Sequence, residues 1–481
     1  MRSSLHSRFP SIPKSPTGIK GLDEITFGGL PKGRPTLICG NAGCGKTLLA
    51  IEFLVHGALD FKEPGIFMTF EETAADLTDN VASLGVDLNA LIKRKLIKID
   101  HVRVERSEIE ETGEYNLEGL FVRLNYAIDT LGAKRVVLDT IESLFSGLSN
   151  ATILRAELRR LFHWLKEKGV TAIITGERGS NTLTRQGLEE YVSDCVILLD
   201  HRIVEQISTR RLRVVKYRGS LHGTNEYPFL IDDTGITVLP ITSLGLTHPA
   251  PTGRISSGIP QLDAMLGGRG YFKGSSVLIS GTAGTGKSSL ACYFAAAHAK
   301  ARKRCLYFAF EESQEQILRN MHSINLQLKP WVKKGLIIFD ACRPSLMGLE
   351  QHLVRIYKVV EEFKPDAVII DPISNLVSSG TGREVQSMLT RLIDFLKMKQ
   401  ITTLYTILTT SGAPVDDTEV GVSSLVDTWL LIQDLQHAEH RRRKLFIIKS
   451  RGMGHSDQVK DLLISNAGIQ ITDREVKTET H

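Results

Sequence analysis

The chain has 481 residues, of which 42% are hydrophobic and 23% charged, with a formal net charge of +5. That length exceeds the size at which single cores stop growing, so two or more domains are expected. No uninterrupted apolar stretch reaches the ~18 residues of a membrane span, and no membrane partner is expected. The small basic excess suits anionic ligands but gives little ground for a nucleic-acid partner. The cysteines Cys39, Cys44, Cys195, Cys292, Cys305 and Cys342 form no C-x-x-C pair and no Cys/His metal spacing. They read as reduced structural thiols of a cytoplasmic protein.

Residues 1–16 form a flexible basic arm (Arg2, Arg8, Lys14) without the apolar run of a signal peptide. Strand candidates follow at 36–39, 65–70, 96–100, 135–139, 171–175 and 195–200, and 154–168 has helical spacing (Leu154, Leu158, Leu161, Phe162, Leu165). A charged turn at 205–210 precedes a strand at 211–217, and 436–443 precedes 444–450 in the same way, so each half should carry a late hairpin. The alternation predicts an α/β fold, a mainly parallel twisted sheet with helices on both faces.

The first strand candidate runs into Gly40-Asn41-Ala42-Gly43-Cys44-Gly45-Lys46-Thr47, which reads G-x-x-x-x-G-K-[ST], the phosphate-binding loop. Its glycines let backbone N–H groups turn inward around phosphate oxygens, and the next helix adds its positive dipole end. Gly281-Thr282-Ala283-Gly284-Thr285-Gly286-Lys287-Ser288 repeats it. The nucleotide contacts are therefore expected from Gly43, Cys44, Gly45, Lys46, Thr47 and Leu48, and from Gly284, Thr285, Gly286, Lys287, Ser288 and Ser289. Lys46 and Lys287 would reach the β/γ-phosphates, and Thr47 and Ser288 would help hold Mg²⁺.

The repeat extends beyond the loops. Phe70-Glu71-Glu72 answers Phe310-Glu311-Glu312, Val136-Val137-Leu138-Asp139 answers Val368-Ile369-Ile370-Asp371, and Lys216-Tyr217-Arg218-Gly219 answers Lys449-Ser450-Arg451-Gly452. Two copies of this size make tandem globular domains, 17–240 and 255–472, joined by a Pro/Gly linker at 241–254 and followed by a polar tail at 473–481. Asp139 and Asp371 end apolar strands, as a second metal carboxylate should. Glu71-Glu72 and Glu311-Glu312 suit general-base work on water or a hydroxyl, one acid orienting and one acting. The Lys-x-Arg-Gly blocks would act as arginine fingers on a neighbouring subunit, which requires a closed ring. Aligned on Asp194 and Asp427, Glu190-Tyr191 in the first half faces Ser423-Ser424 in the second, with Thr418 nearby.

Together these blocks resemble the KaiC family, circadian clock ATPases and autokinases of the RecA superfamily. The likeness runs from about Thr17 to Thr472 and includes Thr69-Phe70-Glu71-Glu72-Thr73, Tyr217-Arg218-Gly219-x-x-His222, Glu226-Tyr227-Pro228-Phe229 and Ile255-Ser256-Ser257-Gly258. The resemblance implies two RecA-like domains stacked as rings of a homohexamer, with ATP and Mg²⁺ at subunit interfaces. The first ring would hydrolyse ATP through Glu71 and Glu72, with Lys216, Arg218 and His222 on the nucleotide. The second would transfer phosphate to Ser423 and Ser424 and, as an autophosphatase, reverse the transfer through ADP, with Thr418 auxiliary, Glu311 as base and metal neighbour, and Arg443, Lys449 and Arg451 on the nucleotide. Ser424 stands where the family usually has threonine. The chain stops soon after Asp473, so KaiA-dependent stimulation is not expected, whereas the charged stretch at 101–116 leaves room for a KaiB-like partner. The alternative is a RecA- or RadA-like DNA-dependent motor with channel loops near 176–187 and 412–421. The second of these carries Asp416, Asp417 and Glu419 without a cation, which opposes phosphate binding.

Overall fold

The computed structural model describes residues 12–83, 85–102, 117–144, 151–179, 183–184, 193–204, 207–240, 250–409, 422, 424–437 and 440–473. The chain forms two compact units, Met1–Thr242 and Ser243–His481. No helix among the described residues is long and apolar enough to cross a membrane.

The sheet of the first unit is built from β1 (Pro35–Gly40), β2 (Gly65–Thr69), β3 (Ile97–His101), β4 (Arg135–Asp139), β5 (Thr171–Glu177), β6 (Cys195–Val204), β7 (Ile207–Tyr217), β8 (Glu226–Asp232) and β9 (Gly235–Val238). Their order is β9-β8-β7-β6-β1-β5-β4-β2-β3. The strands from β6 to β3 are parallel, while β7, β8 and β9 return antiparallel. Helix α1 (Lys46–Asp60) covers one face; α3 (Glu118–Leu131) and α4 (Ala151–Glu167) cover the other, and α2 (Ala74–Ala82) follows β2. The period of two explains how one apolar strand serves two cores. Leu37 and Cys39 pack with Leu124, Leu158 and Leu161, whereas Ile38 packs with Leu49, Phe53 and Leu54.

The second unit repeats the plan with β10 (Ser276–Gly281), β11 (Cys305–Ala309), β12 (Ile337–Ala341), β13 (Ala367–Asp371), β14 (Thr402–Leu408), β15 (Thr428–His437), β16 (His440–Ser450), β17 (Lys460–Ser465) and β18 (Gly468–Thr472). The order β12-β11-β13-β14-β10-β15-β16-β17-β18 mirrors the first sheet. Its helices are α5 (Lys287–Lys300), α6 (Gln314–Ser323), α7 (Leu349–Phe363) and α8 (Gly382–Met398). Even the irregularity is duplicated: the β6/β7 register shifts between Val196 and Ile197, and the β15/β16 register between Trp429 and Leu430.

The late hairpins differ from the expectation. Most of 205–210 and 436–443, read as turns from their charge, is strand: β7 begins at Ile207, and His437 already pairs with His440. Charge misleads there because the hairpin arms pair charged partners across strands. Asp200 lies opposite Arg211 and Asp434 opposite Arg443.

Each loop helix is tied to the terminal hairpin at matched positions. Glu52 of α1 accepts the Ile236 N–H at 2.8 Å, while the Tyr293 hydroxyl of α5 accepts the Ile469 N–H at 3.2 Å. Burial pushes the Glu52 carboxyl up to about 7. The unfolded carboxyl ionises near 4.5 and the folded one only near 7, so the unfolded state gains by ionising first as pH rises. The group thus costs up to roughly 3 kcal/mol of stability, lost between those pH values and flat above them. Glu52→Gln is expected to remove that part of the slope, read by chemical denaturation at pH 5 and 8; an unchanged slope would clear Glu52.

Candidate nucleotide sites

Each loop turns from the C-terminal end of a central parallel strand into a helix. Gly45 and Gly286 cap those helices in left-handed conformations, with φ of 103° and 99°, and a β-carbon at either would collide with Ile231 or Ile464. Lys46 donates to the carbonyls of Gly40 at 2.9 Å and Asn41 at 3.0 Å. Lys287 does the same to Gly281 at 2.8 Å and Thr282 at 2.7 Å. Both lysines are buried, and burial pulls Lys287 down to about 8 against the opposing charges of Asp371 and Glu311. Cys44 and Thr285 are fully buried, so these two positions offer the site backbone rather than side chains, while Thr47, Leu48, Ser288 and Ser289 are half-buried.

The strand-end carboxylates meet the loops. Asp139 Oδ2 accepts the Thr47 hydroxyl at 3.0 Å, and its Oδ1 accepts the Thr175 hydroxyl. Burial pushes the Asp139 carboxyl up, and these two hydrogen bonds oppose it. Asp371 Oδ1 accepts the matching Thr406, but its Oδ2 accepts Tyr307 at 2.5 Å. No cluster of three His, Cys, Asp or Glu side chains suited to a metal occurs among the described residues. One carboxylate beside one loop hydroxyl fits Mg²⁺, which keeps several waters and binds through a carboxylate plus substrate phosphates.

The acid pairs divide. Glu71 accepts Thr140 at 3.1 Å and Ser143 at 2.5 Å, both just beyond Asp139. Glu72 and Glu312 instead accept Asn80 and Asn320, from the helices that follow, at 3.4 Å and 3.3 Å. The charge of Glu311 acts on Lys287. Glu71 therefore lies against the turn that follows Asp139, while Glu72 and Glu312 each reach the helix that follows their own strand. The asparagines were not singled out from sequence, nor were Thr175 and Thr406. A polar residue kept at the same place in both copies was the available signal; Thr175 and Thr406 are buried, whereas Asn80 is exposed and Asn320 half-buried.

The basic residues separate by sheet end. Gly281 pairs with Ile432, and Arg443 sits opposite Asp434, two residues farther along, so Arg443 lies at the loop end. Lys449 and Arg451 lie at the other end, where Val277 pairs with Thr428 and Thr428 with Ser450. The four steps along the strand from Val277 to Gly281 put about 13 Å between that end and the loop. Ser424 shares the far end: its carbonyl accepts Arg451 Nη2 at 2.8 Å, and the nearby Asp427 N–H donates to the Ser276 carbonyl at 2.9 Å. Burial and the neighbouring Arg451 charge pull Lys449 down. In the first unit Lys216 pairs with Val196 and the Arg218 N–H donates to Asp194, again at the strand start, with His222 stacked 6.2 Å from Tyr217. Ser423, Thr418, Glu190, Tyr191, residues 103–116 and the loop 412–421 lie outside the described residues. Of the other candidate channel loop, Glu177 donates its N–H to Glu142 and Arg178 pairs with Asp200 at 3.5 Å.

Two phosphate loops, each on a central parallel strand and facing a strand-end aspartate, define a tandem ATPase with duplicated RecA-like domains. A family model described as KaiC, an ATPase, matches residues 15–243 and 255–476. The chain belongs to the KaiC family. It is 58% identical over 470 residues to the circadian clock protein KaiC2 of Synechocystis sp. (strain ATCC 27184 / PCC 6803 / Kazusa), covering 97% of this chain and 83% of that one. It is 38% identical to the circadian clock oscillator protein KaiC of Parathermosynechococcus lividus, over 97% and 87% of the two chains. For the namesake from Synechococcus elongatus (strain ATCC 33912 / PCC 7942 / FACHB-805) the figures are 35%, 97% and 91%. The DNA-motor alternative is not favoured.

Proposed function

We propose that this KaiC-family ATPase is also a protein serine autokinase working between copies of itself. Residues 17–240 hydrolyse ATP, residues 255–472 transfer phosphate, and 241–254 link them. The observation that carries the reading is the separation of Ser424, Lys449 and Arg451 from their own loop by the length of β10. A serine there cannot meet the γ-phosphate held by Lys287 of the same sheet, but it can meet a neighbour's across a head-to-tail contact, which closes only as a ring. A homohexamer is the ring we assign.

In the second domain the Ser424 or Ser423 hydroxyl attacks the γ-phosphorus in line. The new O–P bond forms as the bond to the β,γ-bridging oxygen breaks, ADP leaves, and Glu311 takes the hydroxyl proton. Lys287 from one copy and Arg451 from the next stabilise the equatorial oxygens. In the first domain Glu71 orients or deprotonates water, with Lys216, Arg218 and His222 reaching across from the adjacent copy. Mg²⁺, held by Thr47 with Asp139 or by Ser288 with Asp371 and Glu311, would supply charge neutralisation on the phosphates. A clock role is supported by the names of the relatives, which are circadian clock proteins; a stress-timing role and a KaiB-like partner at 101–116 are parts of the proposal beyond those names. Incubation with Mg²⁺ and ATP is expected to place phosphate on Ser423 or Ser424, read by intact-mass and peptide mass spectrometry. ATP hydrolysis without phosphate at either serine would end the kinase assignment.

A further inference from the structure

The two metal-side carboxylates are held alike at one oxygen and differently at the other. Thr175 and Thr406 occupy Oδ1 of Asp139 and Asp371. At Oδ2 the first site has the loop's own Thr47, at 3.0 Å. The second has Tyr307, at 2.5 Å, and among the described residues no hydrogen bond joins Ser288 to Asp371. The positions match by register. Thr69 pairs with Asp139 and Ala309 with Asp371, so Phe67 and Tyr307 stand at the same place two residues earlier. Both are buried, and Phe67 has no hydroxyl to offer. A second exchange backs the first. Cys292, five residues after Lys287, is buried in the same apolar cluster as Tyr307, whereas Ile51 fills that place after Lys46.

We infer that Tyr307 is a positioning residue that draws the Asp371 carboxylate off the phosphate loop, weakening the second site's hold on a divalent cation relative to the first. A hydroxyl-to-carboxylate bond is short and charge-assisted, and it is strongest in a dry interior. In the first site the donor is also the loop residue that would face the cation. Its O–H stays pointed at Asp139 while its lone pairs turn to the ion, so the two interactions cooperate. In the second site the donor comes from a strand inside the sheet and cannot follow the ion. A cation approaching Oδ2 competes with the phenol for the same oxygen.

The inference rests on the reading of Asp371 as the metal carboxylate. The test uses the full chain carrying Lys46→Ala, so that binding reports the second site, with Mn²⁺ and ADP as probes and electron paramagnetic resonance as the readout. Tyr307→Phe is expected to lower the Mn²⁺ dissociation constant about tenfold, within the range for partners one shell out from a metal. Phe67→Tyr, in a Lys287→Ala chain, is expected to raise it in the first site. An unchanged or weaker Mn²⁺ affinity in Tyr307→Phe overturns the inference. Asp371→Asn separates the failures. If it leaves Mn²⁺ binding unchanged, the metal reading of the site falls; if it weakens binding while Tyr307→Phe does not strengthen it, only the role of Tyr307 falls.

Discussion

Arg451→Ala is expected to slow phosphate transfer by about a thousandfold or more, the range lost when an arginine finger is removed. The same change should leave nucleotide bound at that copy's own loop nearly unaffected. The two halves of this expectation come from the sheet. Arg451 stands beside Ser424 at the start of β10, whereas Lys287 stands past its end. A residue that served its own loop would cost binding and transfer together in each copy. Arg218→Ala should do the equivalent to hydrolysis in the first domain, because Arg218 follows the strand that brings Lys216 opposite Val196. Equilibrium binding of a fluorescent ATP analogue, measured beside turnover, separates the two outcomes.

The acid pairs carry the second large effect. Glu311→Gln should slow transfer to serine by about a hundred- to ten-thousand-fold, as for loss of a general base. Glu71→Gln should lower ATP hydrolysis similarly while leaving serine phosphorylation largely intact. Glu72→Gln and Glu312→Gln should do less, because those carboxylates accept from Asn80 and Asn320 on the next helices. Equal losses from both members of a pair would mean that the division between acting and orienting acids is wrong.

Much of this arrangement was readable along the chain, for a physical reason. A phosphate loop, a strand-end aspartate and a tandem acid are local patterns, and each recurs in order in the second half. What was not readable comes from strand order. Thr175 reaches Asp139, and Thr406 reaches Asp371, because β5 lies beside β4 and β14 beside β13, adjacency that no short spacing encodes. Tyr307 was not singled out, since its hydroxyl has meaning only once β11 is set against β13. The resemblance put Arg443, Lys449 and Arg451 together on the nucleotide, and the strand that carries them sets Arg443 and Lys449 at opposite ends of the sheet. The hairpin arms were taken for turns because they are charged, and charge along a strand is no obstacle to pairing where opposite charges face each other across it.

The central claim is that the second loop of one copy phosphorylates the serines of another. Lys287→Ala chains, labelled with heavy isotope, would be mixed with unlabelled Ser423→Ala/Ser424→Ala chains and given Mg²⁺ and ATP. One chain then lacks a working loop and the other lacks acceptors. Peptide mass spectrometry is expected to find phosphate on Ser423 or Ser424 of the heavy chain, and none on that chain incubated alone. Heavy chains that stay unphosphorylated in mixed assemblies, while wild-type chains incubated separately under the same conditions become phosphorylated, would contradict the account.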